Sequence, residues 1–145
     1  VGVDLSYQMN CLALSKLQEN GIEKPMVING YAQFLPFGNS SFNSIVSTFP
    51  ADFIFEPATI AEIWRTLRPG GSWIWLPTAW ITGSDPKSRA LAALFRLTQQ
   101  APPEITPLPD ELLAHLKHLG FEISQELRHL HNSVVLIVTA RKPNN

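Results

Sequence analysis

Asp4 closes the apolar run Val1-Gly2-Val3 and leads straight into a helical pattern. In doubly wound α/β sheets a carboxylate at the end of a strand accepts hydrogen bonds from ribose hydroxyls, while a Gly-rich turn after the preceding strand receives the rest of a nucleotide. The plainer role for such an acid is a charge or cap at a helix N-terminus. Other residues with chemical potential carry less. His115 and His118 are three apart on a helical pattern, but spacing places no third ligand and Lys117 beside them marks a solvated face, so no metal is expected. His129 and His131 flank a turn and read as polar hairpin residues. Cys11 sits next to Leu12 and Ala13 with no partner base, so it reads as a small packing residue rather than a nucleophile.

The elements that would position Asp4 follow from periodicity. A strand over Val1–Leu5 precedes a helix with Met9, Leu12, Ala13 and Leu17 on one face, which stops at Gly21. Met26-Val27-Ile28 is a short strand, and Phe42 to Thr48 is another after the turn residues Phe37 to Ser41. Pro57 suits a first helical position, and Ile60, Ile63, Trp64 and Leu67 make an i, i+3, i+4, i+7 stripe that ends at Pro69-Gly70-Gly71. Ser72 to Leu76 is the next strand, with Trp73 and Trp75 on one face. This alternation of strands and helices indicates parallel βαβ units. From Pro77 to Asp110 the pattern loosens among Pro77, Pro86, Pro102, Pro103 and Pro107, around one helix bearing Leu91, Leu94 and Phe95, as in an insertion over a binding site. Trp80, just beyond Trp73 and Trp75, reads either as core like them or as a residue facing such a site. A last helix with Leu112, Leu113, Leu116 and Leu119 stops at Gly120. Phe121 to Leu130 and Val134 to Ala140 are then strands joined so tightly that they must be antiparallel.

Bulk properties narrow the function classes. The chain has 145 residues and a net charge of −1, enough for one domain with one core and too little positive charge for a nucleic-acid footprint. Its single cysteine cannot form an internal disulfide, which fits a reducing, cytoplasmic setting. The most apolar stretch, Trp73 to Ile81, is cut by Pro77 and falls far short of the roughly 20 residues that span a bilayer.

Four signals in order carry a resemblance: Val3-Asp4-Leu5-Ser6 with Met9; Gly30-Tyr31-Ala32-Gln33-Phe34-Leu35-Pro36-Phe37; Ser41-Phe42-Asn43; and Arg65-Thr66-Leu67-Arg68-Pro69-Gly70-Gly71. Together they resemble the class I S-adenosylmethionine-dependent methyltransferases, in particular the small-molecule group of ubiquinone and menaquinone biosynthesis enzymes (type 11). The resemblance implies an α/β fold, a Rossmann-like, mostly parallel methyltransferase sheet with an antiparallel carboxyl-terminal hairpin. It implies a single domain over 1–145 that lacks its first strand and Gly-rich turn, and a chain inactive on its own. S-adenosylmethionine is the implied methyl donor, with no metal, and the acceptor a small, partly apolar molecule.

The resemblance also distributes the site. It makes Asp4 the carboxylate on the ribose hydroxyls and lines the adenosine pocket with Leu5, Ser6 and Met9. It puts Ala32 and Gln33 on the adenine, and turns Phe49 and Pro50 toward the methionine part and the acceptor. Tyr31 stands where the family usually has an adenine-binding Asp, and is expected to wall the pocket with its ring. Asn43 replaces another usual Asp and is expected to matter only for local hydrogen bonding. Arg65 to Gly71 is expected to be a structural turn, and no catalytic residue is named. Two competing readings remain at this point: a nicotinamide-dependent oxidoreductase, which also uses an acid on ribose, and a non-catalytic homologue.

Overall fold

The computed structural model describes residues 1–48, 52–83, 107–108 and 110–144. Phe49, Pro50 and the helix expected around Leu91, Leu94 and Phe95 lie outside the described residues.

The chain begins with strand β1 (Gly2–Asp4), helix α1 (Tyr7–Glu19) and strand β2 (Val27–Asn29). Ser6 caps α1, its hydroxyl accepting from the Met9 amide at 3.3 Å. Gly21, at φ 79°, closes the other end, with its own amide on the Gln18 carbonyl and the Ile22 amide on that of Leu17. That pair of bonds is a Schellman closure, which favours glycine at its left-handed position. β1 and β2 pair in parallel, Asp4 beside Asn29.

The remainder is a second, larger sheet. Strand β3 (Phe42–Thr48) runs to a one-turn 3-10 helix (Asp52–Phe55), helix α2 (Pro57–Thr66), strand β4 (Leu67–Leu76) and a short strand β5 (Ala79–Ile81). Helix α3 (Asp110–His118) and strands β6 (Glu122–His129) and β7 (Ser133–Arg141) complete it. Hydrogen bonding gives the order β3-β4-β7-β5, with β6 also on β7. β3 and β4 are parallel, whereas β7 is antiparallel to β4, β5 and β6. Leu67, expected to extend the helical stripe, instead opens β4 opposite Phe42, because α2 ends at Thr66 and the backbone is extended from Leu67 onward.

The core belongs to this second sheet. Ile54, Ile60, Ile63, Leu67, Trp73, Trp75, Leu113, Leu116, Phe121, Leu136 and Val138 are all buried. Trp73 and Trp75 lie stacked with ring centroids 5.3 Å apart, and Phe55 meets Trp75 edge-on at 5.1 Å. Trp64 packs edge-on to Phe121 and carries the Lys142 ammonium 4.8 Å over its ring. Trp80 takes the core one of its two readings, buried because β5 pairs with β7. Cys11 is exposed, contrary to its expected packing role, since α1 buries only Asn10.

Arg65 to Gly71, expected as a turn, divides instead between the end of α2 and the start of β4, where Gly70 alone turns left-handed at φ 74°. A Cβ on Gly71 would lie 2.8 Å from the Arg68 carbonyl oxygen and 3.0 Å from that of Asn43, both backbone atoms that cannot swing away. The pairing register shifts at this point, between Phe42 and Ser44. Gly71→Ala is therefore expected to destabilise the protein by about 1–3 kcal/mol through overpacking. Chemical denaturation should show a lower midpoint with an unchanged m-value, and an unaltered midpoint would mean that β3 and β4 accommodate the methyl.

Candidate functional site

A cleft of about 670 Å³ separates the two sheets. β1 and β3 both line it, and among the described residues β1 pairs only with β2 and β3 only with β4. The single sheet expected from the sequence is thus two sheets among the described residues.

Asp4 is held on the cleft wall through its backbone. Its carbonyl oxygen accepts from the Asn10 side-chain amide at 2.9 Å, from that of Asn29 at 3.2 Å and from the Gly30 amide at 3.2 Å. Asn29 also donates to the Leu5 carbonyl at 2.7 Å. Asn10 is buried, so its bond is shielded from competing water, whereas the Asn29 bonds are exposed. The carboxylate accepts the Ser6 amide through Oδ1 at 2.7 Å, so part of its role is to order the entry to α1. The carboxylate is exposed, and among the described residues Oδ2 accepts no hydrogen bond.

Leu5, Tyr31, Ala32 and Gln33 line the same cleft as Asp4. Ser6 and Met9 do not: Ser6 is the helix cap and Met9 is exposed on α1. Tyr31 is 57% exposed, its ring open to a partner. The Gln33 side chain donates to Glu56 Oε2 at 2.8 Å, which engages one of its two N–H donors and leaves its carbonyl oxygen for a ligand. Sequence reasoning missed Leu35, Phe37, Ser47 and Ile54 as cleft residues. Leu35 and Phe37 were visible only as motif letters. Ser47 is fixed by accepting the Trp73 indole N–H at 3.0 Å, a cross-strand bond that no local pattern shows.

α2 holds the loop that carries Tyr31 to Phe37. Glu62 and Arg65 form a two-pronged ion pair, with both nitrogen-to-oxygen distances 2.7 Å. Arg65 also donates to the Phe37 carbonyl at 2.7 Å, the Leu35 carbonyl at 3.1 Å and Asn39 Oδ1 at 3.0 Å, and Glu62 accepts the Leu35 amide at 2.8 Å. The hydrogen bonds from Arg65 hold the Glu62 carboxyl below its ordinary value of 4.5, against the opposing pull of burial. Its folded value being depressed, the pair's contribution is complete above the ordinary value and is lost as pH falls through the lower one. Arg68 bonds the Ser40 carbonyl and Asn43 Oδ1, so Asn43 does serve local hydrogen bonding.

Among the described residues lining the cleft, Asp4 is the one charged side chain. An exposed carboxylate can accept from hydroxyls, and an exposed aromatic ring can lie against a flat group. No group of His, Cys, Asp or Glu suited to a metal ion occurs among the described residues.

Comparison with known proteins gives this arrangement a family. Residues 1–71 match the family described as a methyltransferase domain. That match takes in just under half of the chain. The chain is 34% identical over 97 residues to the ubiquinone/menaquinone biosynthesis C-methyltransferase of Blochmanniella floridana, an alignment covering 66% of this chain and 36% of that protein. The chain thus spans about a third of the length of that curated relative. Among solved structures it resembles an S-adenosylmethionine-dependent methyltransferase from Methanosarcina mazei, with TM-score 0.62 and 19% identity over 99% of this chain and 82% of the other. It also resembles phosphoethanolamine N-methyltransferase 2 of Haemonchus contortus, determined with phosphomonomethylethanolamine and S-adenosylhomocysteine. There the TM-score is 0.63 and the identity 16%, over 98% of this chain and 43% of that one. The fold is the Rossmann-like methyltransferase fold, with parallel pairing in β1–β2 and β3–β4 and an antiparallel β6–β7 hairpin.

Proposed function

We propose that the protein carrying this chain transfers a methyl group from S-adenosylmethionine to a small, partly apolar acceptor. One observation supports this most: an exposed carboxylate, Asp4, and an exposed aromatic ring, Tyr31, line one cleft within the stretch that matches the methyltransferase domain. Asp4 would accept the ribose hydroxyls, the Tyr31 ring would lie against the adenine, and Ala32 and the Gln33 carbonyl oxygen would offer polar contacts. Leu5 would cover the sugar face. Phe49 and Pro50 are proposed toward the acceptor on the sequence resemblance alone.

The donor supplies an activated methyl on a sulfonium. The chain's residues would orient it and exclude water, so that the methyl and the acceptor atom lie in line about 3 Å apart. This requires no general base from the cleft, and Asp4, engaged with Ser6, is assigned none. The apolar lining from Leu35, Phe37, Ile45 and Ile54 favours an acceptor with a hydrocarbon part. A single domain, a cytoplasmic setting and the absence of nucleic-acid partners belong to the same reading, on one cysteine and a net charge of −1. No described helix is long and apolar enough to cross a membrane.

Titration calorimetry of the complete gene product with S-adenosylhomocysteine, and with NAD as the competing ligand, tests this reading. Binding of the first and not the second is expected. Binding of NAD alone would replace it with the oxidoreductase, and binding of neither with a non-catalytic homologue. In the same measurement Tyr31→Phe should change the affinity by less than about 1 kcal/mol, because the ring remains and only a neutral hydrogen bond is at risk. Tyr31→Ala should lose clearly more. Equal losses for the two would make the hydroxyl the contact, and no loss for either would put Tyr31 outside the ligand's reach.

A further inference from the structure

We propose that Glu62 and Arg65 of α2 are a positioning pair that sets the cleft loop through Leu35 and Phe37, and thereby governs cofactor affinity without touching the cofactor. The inference rests on the functional reading above and adds to it residues that lie outside the cleft lining.

The loop from Gly30 to Ser41 has no strand ladder to hold it. Its internal bonds are short-range: Phe34 amide to Tyr31 carbonyl, Phe37 amide to Leu35 carbonyl, and Ser41 hydroxyl to Gly38 carbonyl. Its ends are tied by the Gly30 amide on Asp4 and by Arg68 on the Ser40 carbonyl, and its middle is held by α2. Leu35 has its amide on Glu62 and its carbonyl on Arg65, so one ion pair takes both backbone groups of a residue that lines the cleft. Phe37, also a lining residue, is tied through its carbonyl to the same guanidinium. The Arg65 backbone carbonyl receives the Ser40 amide as well. At the other end of the helix, Glu56 holds Gln33.

The chemistry of the pair fits this work and not a surface ion pair. Its side chains are only 32% and 19% accessible, and Arg65 reaches residues 26 to 30 positions away in sequence. A guanidinium can grip a carboxylate with two parallel bonds while its remaining donors point at carbonyl oxygens, whereas a lysine offers a single compact ammonium. The charge of Glu62 is held by its partner, so the arrangement stays intact through the neutral range. Tyr31 is one short turn from Leu35, closed by the Phe34 amide at 3.1 Å, so a shift of Leu35 carries the ring with it.

The test uses the complete gene product and three variants, Arg65→Lys, Tyr31→Ala and the double variant, with calorimetry against S-adenosylhomocysteine. Arg65→Lys should weaken binding at least fivefold, and most of that effect should vanish in the Tyr31→Ala background, because the ring being positioned is gone. Equal losses in both backgrounds, or a lowered melting temperature with unchanged affinity, would reduce the pair to a structural one and overturn the proposal. A readout free of ligand accompanies this: the Leu35 amide resonance should titrate with the Glu62 carboxyl below pH 4.5 and lose that titration in Glu62→Gln. If the amide titrates as expected while the unsubstituted protein binds no S-adenosylhomocysteine, the functional reading is what fails. If binding is normal and the amide does not titrate, the clamp is what fails.

Discussion

Asp4→Ala in the complete gene product is expected to weaken S-adenosylmethionine and S-adenosylhomocysteine alike, by about ten- to a hundredfold. The two ligands share the ribose and differ at the sulfur, so a residue acting on the ribose cannot distinguish them. Hydrogen bonds to a charged acceptor contribute on the order of 1.5–3 kcal/mol, and 1.4 kcal/mol corresponds to a tenfold change. The structure adds a confounding role, because Oδ1 also accepts the Ser6 amide at the entry to α1. Asp4→Asn separates the two. Asparagine keeps its one carbonyl oxygen for Ser6 and turns an uncharged NH2 donor, in place of the second carboxylate oxygen, toward a diol. If affinity falls in both variants, the ribose contact accounts for the loss. If Asp4→Asn binds normally and only Asp4→Ala fails, the carboxylate serves the helix entry alone. Unchanged affinity in both removes Asp4 from the site.

Much of the local structure was legible because its causes are local. β3 has the bounds read from the sequence, Phe42–Thr48, since apolar centres at Ile45 and Val46 follow a run of turn residues. Gly21 and Gly120 end their helices as expected, because the left-handed closing position selects glycine. Leu67 misled for a physical reason: an apolar residue at i+7 of a helical stripe and one opening a buried strand have the same composition, and only the turn of the backbone after Thr66 decides between them. β5, three residues after Pro77-Thr78, is too short for any period to reveal. In the cleft, Asp4 was visible because the strand-then-acid pattern is itself local. The clamp was not. Glu62 and Arg65 advertise an i, i+3 pair, but their target lies far back along the chain.

The apolar stripe of α1 was legible as a stripe and not for what covers it. Met9 and Leu12 are each 53% exposed, Leu5 is 56% exposed and Met26 62%, and in the first 30 residues only Asn10 is buried. Every member of the buried apolar core comes from residues 54 to 140. Hydrogen exchange of the 145-residue chain is therefore expected to divide it in two. Amides in α1 should open through a local unit whose stability is near the low end, about 0–2 kcal/mol, giving protection of at most some thirtyfold. Amides in the middle of β4 and β7, flanked by Trp73, Trp75, Leu136 and Val138, should require global opening and be slower by at least about a thousandfold. A single common rate across α1 and β7 would show one cooperative unit and sink the idea. The division bears on function because Asp4 and Tyr31 sit on the weaker side of the cleft while Ser47 and Ile54 sit on the stronger. A ligand that needs both sides binds only the fraction of molecules in which both are ordered, so its apparent dissociation constant is the intrinsic one divided by that fraction. On the proposed reading, whatever orders α1 and β1 relative to β3 then tightens cofactor binding without adding a single contact to the cofactor.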